Sequence, residues 1–188
     1  MQLDGLKVAV LVTDGFEPSE LTEPTRALRE SGAEVTIVSN HDGQITGKTD
    51  ADTAQVDMTL DAAKADAFGA LMLPGGVKNP DTMRQDERAV SFVRAFHDAG
   101  KPIAAICHAS WLLVEADVVR GRRLTSYPSL RTDIRNAGGE WVDEEVVVDQ
   151  GIVTSRNPDD IPAFNAKMLE EFGEGIHQGR AAATGAAR

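Results

Sequence analysis

The sequence is poor in cysteine, in aromatic residues and in positive charge, and each shortage excludes something. Among 188 residues there is one cysteine, Cys107. A lone cysteine forms no internal disulfide and no cysteine-rich zinc site. The four histidines are scattered, with no His-Glu-x-x-His or other paired spacing, so no metal is expected. Aromatics make up 5% of the chain, and Trp111, Trp141 and Tyr127 form no stripe on a basic surface. Lys and Arg number 19 against 30 Asp and Glu, a net charge of −11 at pH 7. That sign argues against nucleic acid and against an anionic membrane as partners, because phosphate binding wants a basic surface. The apolar run from Leu6 to Val12 is too short to span a bilayer and follows no basic segment, so no export signal is expected and the cytoplasm is the expected location. No Gly-x-Gly-x-x-Gly run occurs. The string Gly43-Gln44-Ile45-Thr46-Gly47-Lys48-Thr49 has three residues between its glycines where a phosphate loop has four, and no helical pattern follows it. No cofactor is expected.

What is present fits one soluble α/β domain. Hydrophobic residues are 41% and charged residues 26% of the chain. A chain of this length buries about 70% of its unfolded surface and needs no staple. Four short aliphatic runs, Leu6–Val12, Glu34–Ser39, Phe68–Leu73 and Pro102–Ile106, read as covered parallel strands. Helical stripes alternate with them. Leu21, Thr25 and Leu28 form one, with Pro24 expected to kink it. Ala89, Phe92, Val93 and Phe96 form a second, closed by Gly100. Leu112, Leu113, Ala116 and Val119 form a third. Ile161, Phe164, Met168 and Phe172 form the last. The alternation predicts a parallel sheet with right-handed crossovers. A polar excursion over Gln44–Asp57 is expected to be a hairpin. A second hairpin is expected over Glu145–Ser155, turning at Gln150-Gly151. Residues 1–173 are expected to form a single domain, with 174–188 a peripheral or disordered tail.

Cys107 stands at a strand-to-helix junction, with Ala105 two residues before it and Ala109 two after. That is the steric pattern of a nucleophile elbow, with cysteine as nucleophile and alanine for glycine. The elbow turns the thiol out of the carboxyl edge of the sheet. The helix N-terminus beside it favours thiolate. His108 adjoins the thiol and is a candidate general base. Gly75 and Gly76 end the third strand at the same edge, where their backbone N–H groups, with His108, are candidates to bind substrate or an oxyanion. Glu17 follows the first strand, and a carboxyl beside a thiolate is pushed toward its protonated form. Open α/β sheets place their ligands where such strand ends converge.

These strings together resemble the PfpI/ThiJ family, the intracellular cysteine-peptidase-like branch of the Parkinson-associated protein deglycase superfamily. The resemblance runs from about Leu6 to Phe172. It rests on Gly15-Phe16-Glu17, Leu73-Pro74-Gly75-Gly76, Ala105-Ile106-Cys107-His108 and Gly121-Arg122-Arg123-Leu124-Thr125. Asn136-Ala137-Gly138, Glu145-Val146-Val147-Val148-Asp149 and Val153–Phe164 add to it. It implies a flavodoxin-like three-layer sandwich of the class I glutamine amidotransferase-like kind, with helices on both faces of a mainly parallel sheet. It maps the nucleophile onto Cys107, the base onto His108 and the thiol-contacting carboxyl onto Glu17. It also implies a further acid from a partner subunit, for which Asp81 is the nearest match, and hence a homodimer or higher oligomer with the site at its interface. Trp111 stands where the family has a small residue run and is expected to narrow the site. Phe16 and Trp111 are candidates for a subunit contact.

The family's activities share one chemistry, addition of a thiolate to an electrophilic carbonyl with a proton moved by a nearby acid or base. The expected function is therefore a stress-response, cysteine-dependent enzyme of the glutathione-independent glyoxalase or protein deglycase type. Its partners would be small carbonyl compounds or glycated proteins. The alternatives are a redox-sensing stress protein or chaperone that uses Cys107 oxidation without turnover, and an intracellular cysteine peptidase. Glutamine amidotransfer is disfavoured, because no His-x-Glu pair occurs near the C-terminus.

Overall fold

The computed structural model describes residues 2–177. In chain order the elements are β1 (Lys7–Leu11), α1 (Pro18–Glu30), β2 (Glu34–Ser39), β3 (Gln44–Thr46), β4 (Thr53–Gln55), β5 (Met58–Thr59) and β6 (Ala70–Leu73). Then come α2 (Lys78–Met83), α3 (Glu87–Asp98), β7 (Ile103–Ile106), α4 (Ser110–Glu115), β8 (Arg123–Leu124), α5 (Arg131–Asn136), β9 (Glu140–Trp141), β10 (Val146–Asp149), β11 (Ile152–Ser155) and α6 (Ile161–Glu174).

The main sheet has seven strands in the order β10-β11-β7-β6-β1-β2-β5. All neighbours pair in parallel except β10 with β11. Alternate residues of each strand feed opposite faces, as the period of two requires. Val8 and Val10 of β1 join Leu21 and Leu28 of α1 and Phe164, Met168 and Phe172 of α6 on one face. Ala9 and Leu11 join Phe92, Val93 and Phe96 of α3 and Leu112 and Leu113 of α4 on the other. Both faces are thus covered, which is why β1, β6 and β7 read as near-continuous aliphatic runs. This is the mainly parallel sheet that the alternation of strand and helix signals predicts, in the three-layer arrangement that the resemblance implies.

Both expected hairpins are present. β3 and β4 pair antiparallel, and β10 and β11 turn at Gln150 and Gly151, with φ of +48° and +75°. Two positive φ values suit the two-residue turn that matches the twist of its strands. Helix α1 continues through Pro24. The third helical stripe is shorter than its spacing implies. α4 ends at Glu115, and Asp117 adopts a left-handed φ of +55°, so Val119 is buried from a loop rather than from a helix. α6 runs to Glu174, and the His177 N–H then donates to the Gly100 carbonyl at 2.9 Å. The rest of the expected tail, residues 178–188, lies outside the described residues. No helix among the described residues is long and apolar enough to cross a membrane.

Candidate active site

The carboxyl ends of β1, β6 and β7 lie side by side, and their loops build one site. Cys107 follows β7 directly and takes φ +64°. A non-glycine residue rarely adopts that left-handed conformation, and where it does the strain commonly marks a functional position. The side chain is 6% exposed. The β6 loop passes close above it. A Cβ on Gly75 would stand 2.6 Å from Cys107 Cβ and 2.7 Å from the Ile106 carbonyl oxygen, so only glycine fits there. Gly76 has φ +81°, and a Cβ there would meet the Gly15 carbonyl oxygen at 2.5 Å.

Asn79 fastens this loop to β1. Its Oδ1 accepts from the Thr13 N–H at 2.8 Å. Its Nδ2 donates to the carbonyls of Pro74 at 2.9 Å and Gly75 at 3.0 Å. Asn79 is 2% exposed, so these three bonds are shielded from competing water. The sequence reading missed it, because a single asparagine in the first turn of the short helix α2 carries no periodic signal.

His108 lies 3.1 Å from the thiol, measured from Nδ1 to Sγ. Its other ring nitrogen, Nε2, is 3.2 Å from Ser129 Oγ. The ring stacks on Tyr127 at 4.5 Å and 23° and stands 5.2 Å from Trp111. Burial lowers the His108 pKa from its ordinary 6.5, so the neutral ring, with one nitrogen free to accept a proton, prevails at neutral pH.

The carboxyl against the thiol is Glu20, not Glu17. Glu20 sits in the first turn of α1 and is fully buried. Its Oε2 accepts from the Gly76 N–H at 3.2 Å, and it hydrogen-bonds to Cys107. Its pKa is raised from the ordinary 4.5 to about 7, chiefly by burial, with the hydrogen bond to Cys107 pulling it back and the charge of Glu17 adding to the rise. Glu17 is the N-cap residue of α1 and lies at the mouth of the pocket, where Oε2 is 3.4 Å from Lys48 Nζ. The physical reason is the direction of helical side chains. They tilt toward the N-terminus, so a residue one turn into α1 reaches back over the sheet edge. Glu20 also carried a signal: with Pro24 and Leu28 it keeps an i, i+4, i+8 spacing along the buried stripe, where a carboxylate is out of place without a task.

The thiol departs from expectation too. Burial pushes Cys107 upward, and the Glu20 charge pushes the same way. The backbone N–H groups of His108 and Gly76 act against this. The helix field is weak because α4 starts only at Ser110 and has six residues. Glu20 and Cys107 therefore behave as one coupled acid. Once the pair has lost a proton near neutrality, it is either carboxylate and thiol or carboxylic acid and thiolate. In the second form the carboxyl O–H donates to sulfur and the charge repulsion is gone.

A cavity of about 940 Å³ opens onto Cys107, Glu20 and His108. The β3–β4 hairpin forms part of its wall through Thr46, Gly47 and Lys48. The hairpin is pinned by Asp14, whose Oδ1 accepts from the Thr46 N–H at 2.8 Å, and by a bridge between Gly47 and Phe16. The glycine string that fails as a phosphate loop thus serves as a wall. Phe16 is 2% exposed beneath it, so its ring packs inside its own chain, in the cavity wall. Trp111 does not line the cavity. It stands behind His108, donates from Nε1 to Asp133 at 2.9 Å and lies under the Arg84 guanidinium. Asp81 is exposed on α2 and is not among the cavity-lining residues of its own chain.

Residues 6–171 match the model of the DJ-1/PfpI family. The chain belongs to the DJ-1/PfpI family. A relative in Escherichia coli (strain K12), named protein/nucleic acid deglycase 2, is 46% identical over 169 residues, covering 89% of this chain and 98% of its own. General stress protein 18 of Bacillus subtilis (strain 168) is 46% identical over 167 residues, covering 88% and 96%. Among solved structures, a two-domain protein from Anabaena variabilis with DJ-1/ThiJ/PfpI-like and ferritin-like domains superposes with a TM-score of 0.86 at 35% identity. That match takes in 89% of this chain and 48% of the other.

Proposed function

We propose that this DJ-1/PfpI protein is a cysteine-dependent enzyme of the deglycase and glutathione-independent glyoxalase type, acting on 2-oxoaldehydes and their adducts with amines. The observation that carries the reading is the triangle of Cys107, His108 and Glu20. A strained nucleophile has a base 3.1 Å from sulfur on one side and a carboxyl with a pKa of about 7 on the other. A general acid–base group works best when its pKa lies near the working pH, and Glu20 meets that condition.

For methylglyoxal the steps follow from the geometry. His108 Nδ1 takes the thiol proton, and sulfur bonds to the aldehyde carbon. The imidazolium returns that proton to the aldehyde oxygen, which gives a hemithioacetal. The Glu20 carboxylate removes the proton from that carbon and delivers it to the neighbouring carbon, while the hydroxyl proton passes to the neighbouring oxygen. The intermediate becomes a lactoyl thioester on Cys107. Water then cleaves the carbon–sulfur bond, releases lactate and restores the thiol. The sum is methylglyoxal plus water giving lactate, with no outside oxidant. The backbone N–H groups of Gly76 and His108, which act on sulfur, are near enough to stabilise developing charge on the adduct.

The relatives' names, a protein/nucleic acid deglycase and a general stress protein, support a role in carbonyl stress. The protein is proposed to work in the cytoplasm as a homo-oligomer. Val77 and Tyr127 are exposed at 56% and 41% and both line the cavity, which favours self-association across its mouth. The test of the reading is a fresh methylglyoxal adduct of Nα-acetylarginine. Wild type should release acetylarginine and lactate faster than Cys107→Ser. Equal rates for both proteins and for buffer overturn it.

A further inference from the structure

The His108 ring has a partner at each nitrogen, and only one of them belongs to the triangle above. Nδ1 faces Cys107 Sγ at 3.1 Å, and Nε2 faces Ser129 Oγ at 3.2 Å. Ser129 lies in a single helical turn, Pro128–Leu130, between β8 and α5. That turn is fixed at both ends. The Tyr127 N–H donates to the Cys107 carbonyl at 3.1 Å, and Leu130 is fully buried. Tyr127 also covers one face of the imidazole. The same short segment therefore sets the plane of the ring and meets its far nitrogen.

We propose that Ser129 is a positioning residue that accepts a hydrogen bond from His108 Nε2–H and so keeps Nδ1 available as the base for Cys107. The inference rests on the function proposed above and deepens it. A neutral histidine carries one N–H, and the partner of one nitrogen decides which one it is. With the hydrogen on Nε2, the Nδ1 lone pair points at the thiol. The thiol proton then moves to Nδ1, sulfur becomes thiolate, and the imidazolium keeps its Nε2–H on the same oxygen. The hydroxyl can accept in both states, because Ser129 is exposed and its own hydrogen can turn to water. A hydrogen bond to a charged donor is stronger than one to a neutral donor, so the serine favours the proton transfer as well as the tautomer.

The test pairs Ser129→Ala with Ser129→Thr and reads two quantities. The first is the pH profile of Cys107 alkylation by iodoacetamide, which needs no carbonyl substrate. The second is kcat and KM for methylglyoxal. Ser129→Ala should alkylate about tenfold more slowly at pH 7, with the rise of its profile moved to higher pH, and should lose about tenfold in kcat with KM within about twofold. Ser129→Thr keeps the hydroxyl and should recover both. An alkylation profile and a kcat within about twofold of wild type in Ser129→Ala overturn the proposal, as does failure of Ser129→Thr to recover them. If no protein turns over methylglyoxal, the alkylation profile still decides on Ser129 while the enzyme reading alone fails.

Discussion

Replacing Glu20 by glutamine tests the electrostatics of the site without touching the nucleophile. Glu20 is fully buried, and its pKa in the fold is about 7 against an ordinary 4.5. The folded protein therefore holds a proton there that the unfolded chain has lost between those two values. Stability from this group is fully present below pH 4.5 and falls as pH rises through 7. The gap corresponds to about 3 kcal/mol between pH 4 and pH 8. For a domain of this size that is about 6–12 °C in Tm. Glu20→Gln has no such titration, and the acidic and basic groups outside the Glu20–Cys107 pair are common to both proteins and cancel in the difference. The variant should thus gain on wild type as pH rises. The assay is thermal unfolding of both proteins at intervals from pH 4.5 to 8.5. The Tm difference, variant minus wild type, should climb by several degrees with its midpoint between pH 5 and 7. A difference constant within about 2 °C would show that Glu20 titrates as an ordinary carboxyl, and the shared-proton account would be wrong. The same variant should lose catalysis of the carbon-to-carbon proton transfer even where it is the more stable protein.

Two further substitutions bear on the frame of the site. Asn79→Ala removes three buried hydrogen bonds that join β1 to the glycine loop and should lower stability by about 2–4 kcal/mol, measured by urea unfolding; a change under about 0.5 kcal/mol would mean the loop holds itself. Asp81→Asn should leave kcat within about threefold, because His108 Nε2 already meets Ser129 in the same chain; a loss above about tenfold would bring Asp81 into the site through a second copy.

The sequence and the structure agree where a signal repeats. The strand Glu34–Ser39 has the same bounds in both, and the stripe Ile161, Phe164, Met168, Phe172 is buried throughout. Periodicity averages over several residues and survives one exception. The elbow was legible for another reason: Ala105 and Ala109 leave room for a tight turn, and Cys107 was the lone residue whose chemistry could use it. Choosing between Glu17 and Glu20 needed the tilt of a side chain in three dimensions, and proximity to the strand favoured the wrong one. Asn79 and Ser129 were out of reach because each acts alone, from a short helical segment with no repeating pattern, on a partner far away in sequence, Thr13 for one and His108 for the other. The short α4 turns on the backbone of Asp117, whose left-handed conformation few residue types announce.

The central claim is that Cys107 is a catalyst for reactive carbonyls. The most direct measurement is lactate formation from methylglyoxal in reducing buffer without glutathione, by wild type and by Cys107→Ser. The account predicts lactate in proportion to wild-type enzyme and a rate at least about a thousandfold lower for the variant. Lactate at the buffer rate with both proteins, or equal turnover by the two, would contradict it.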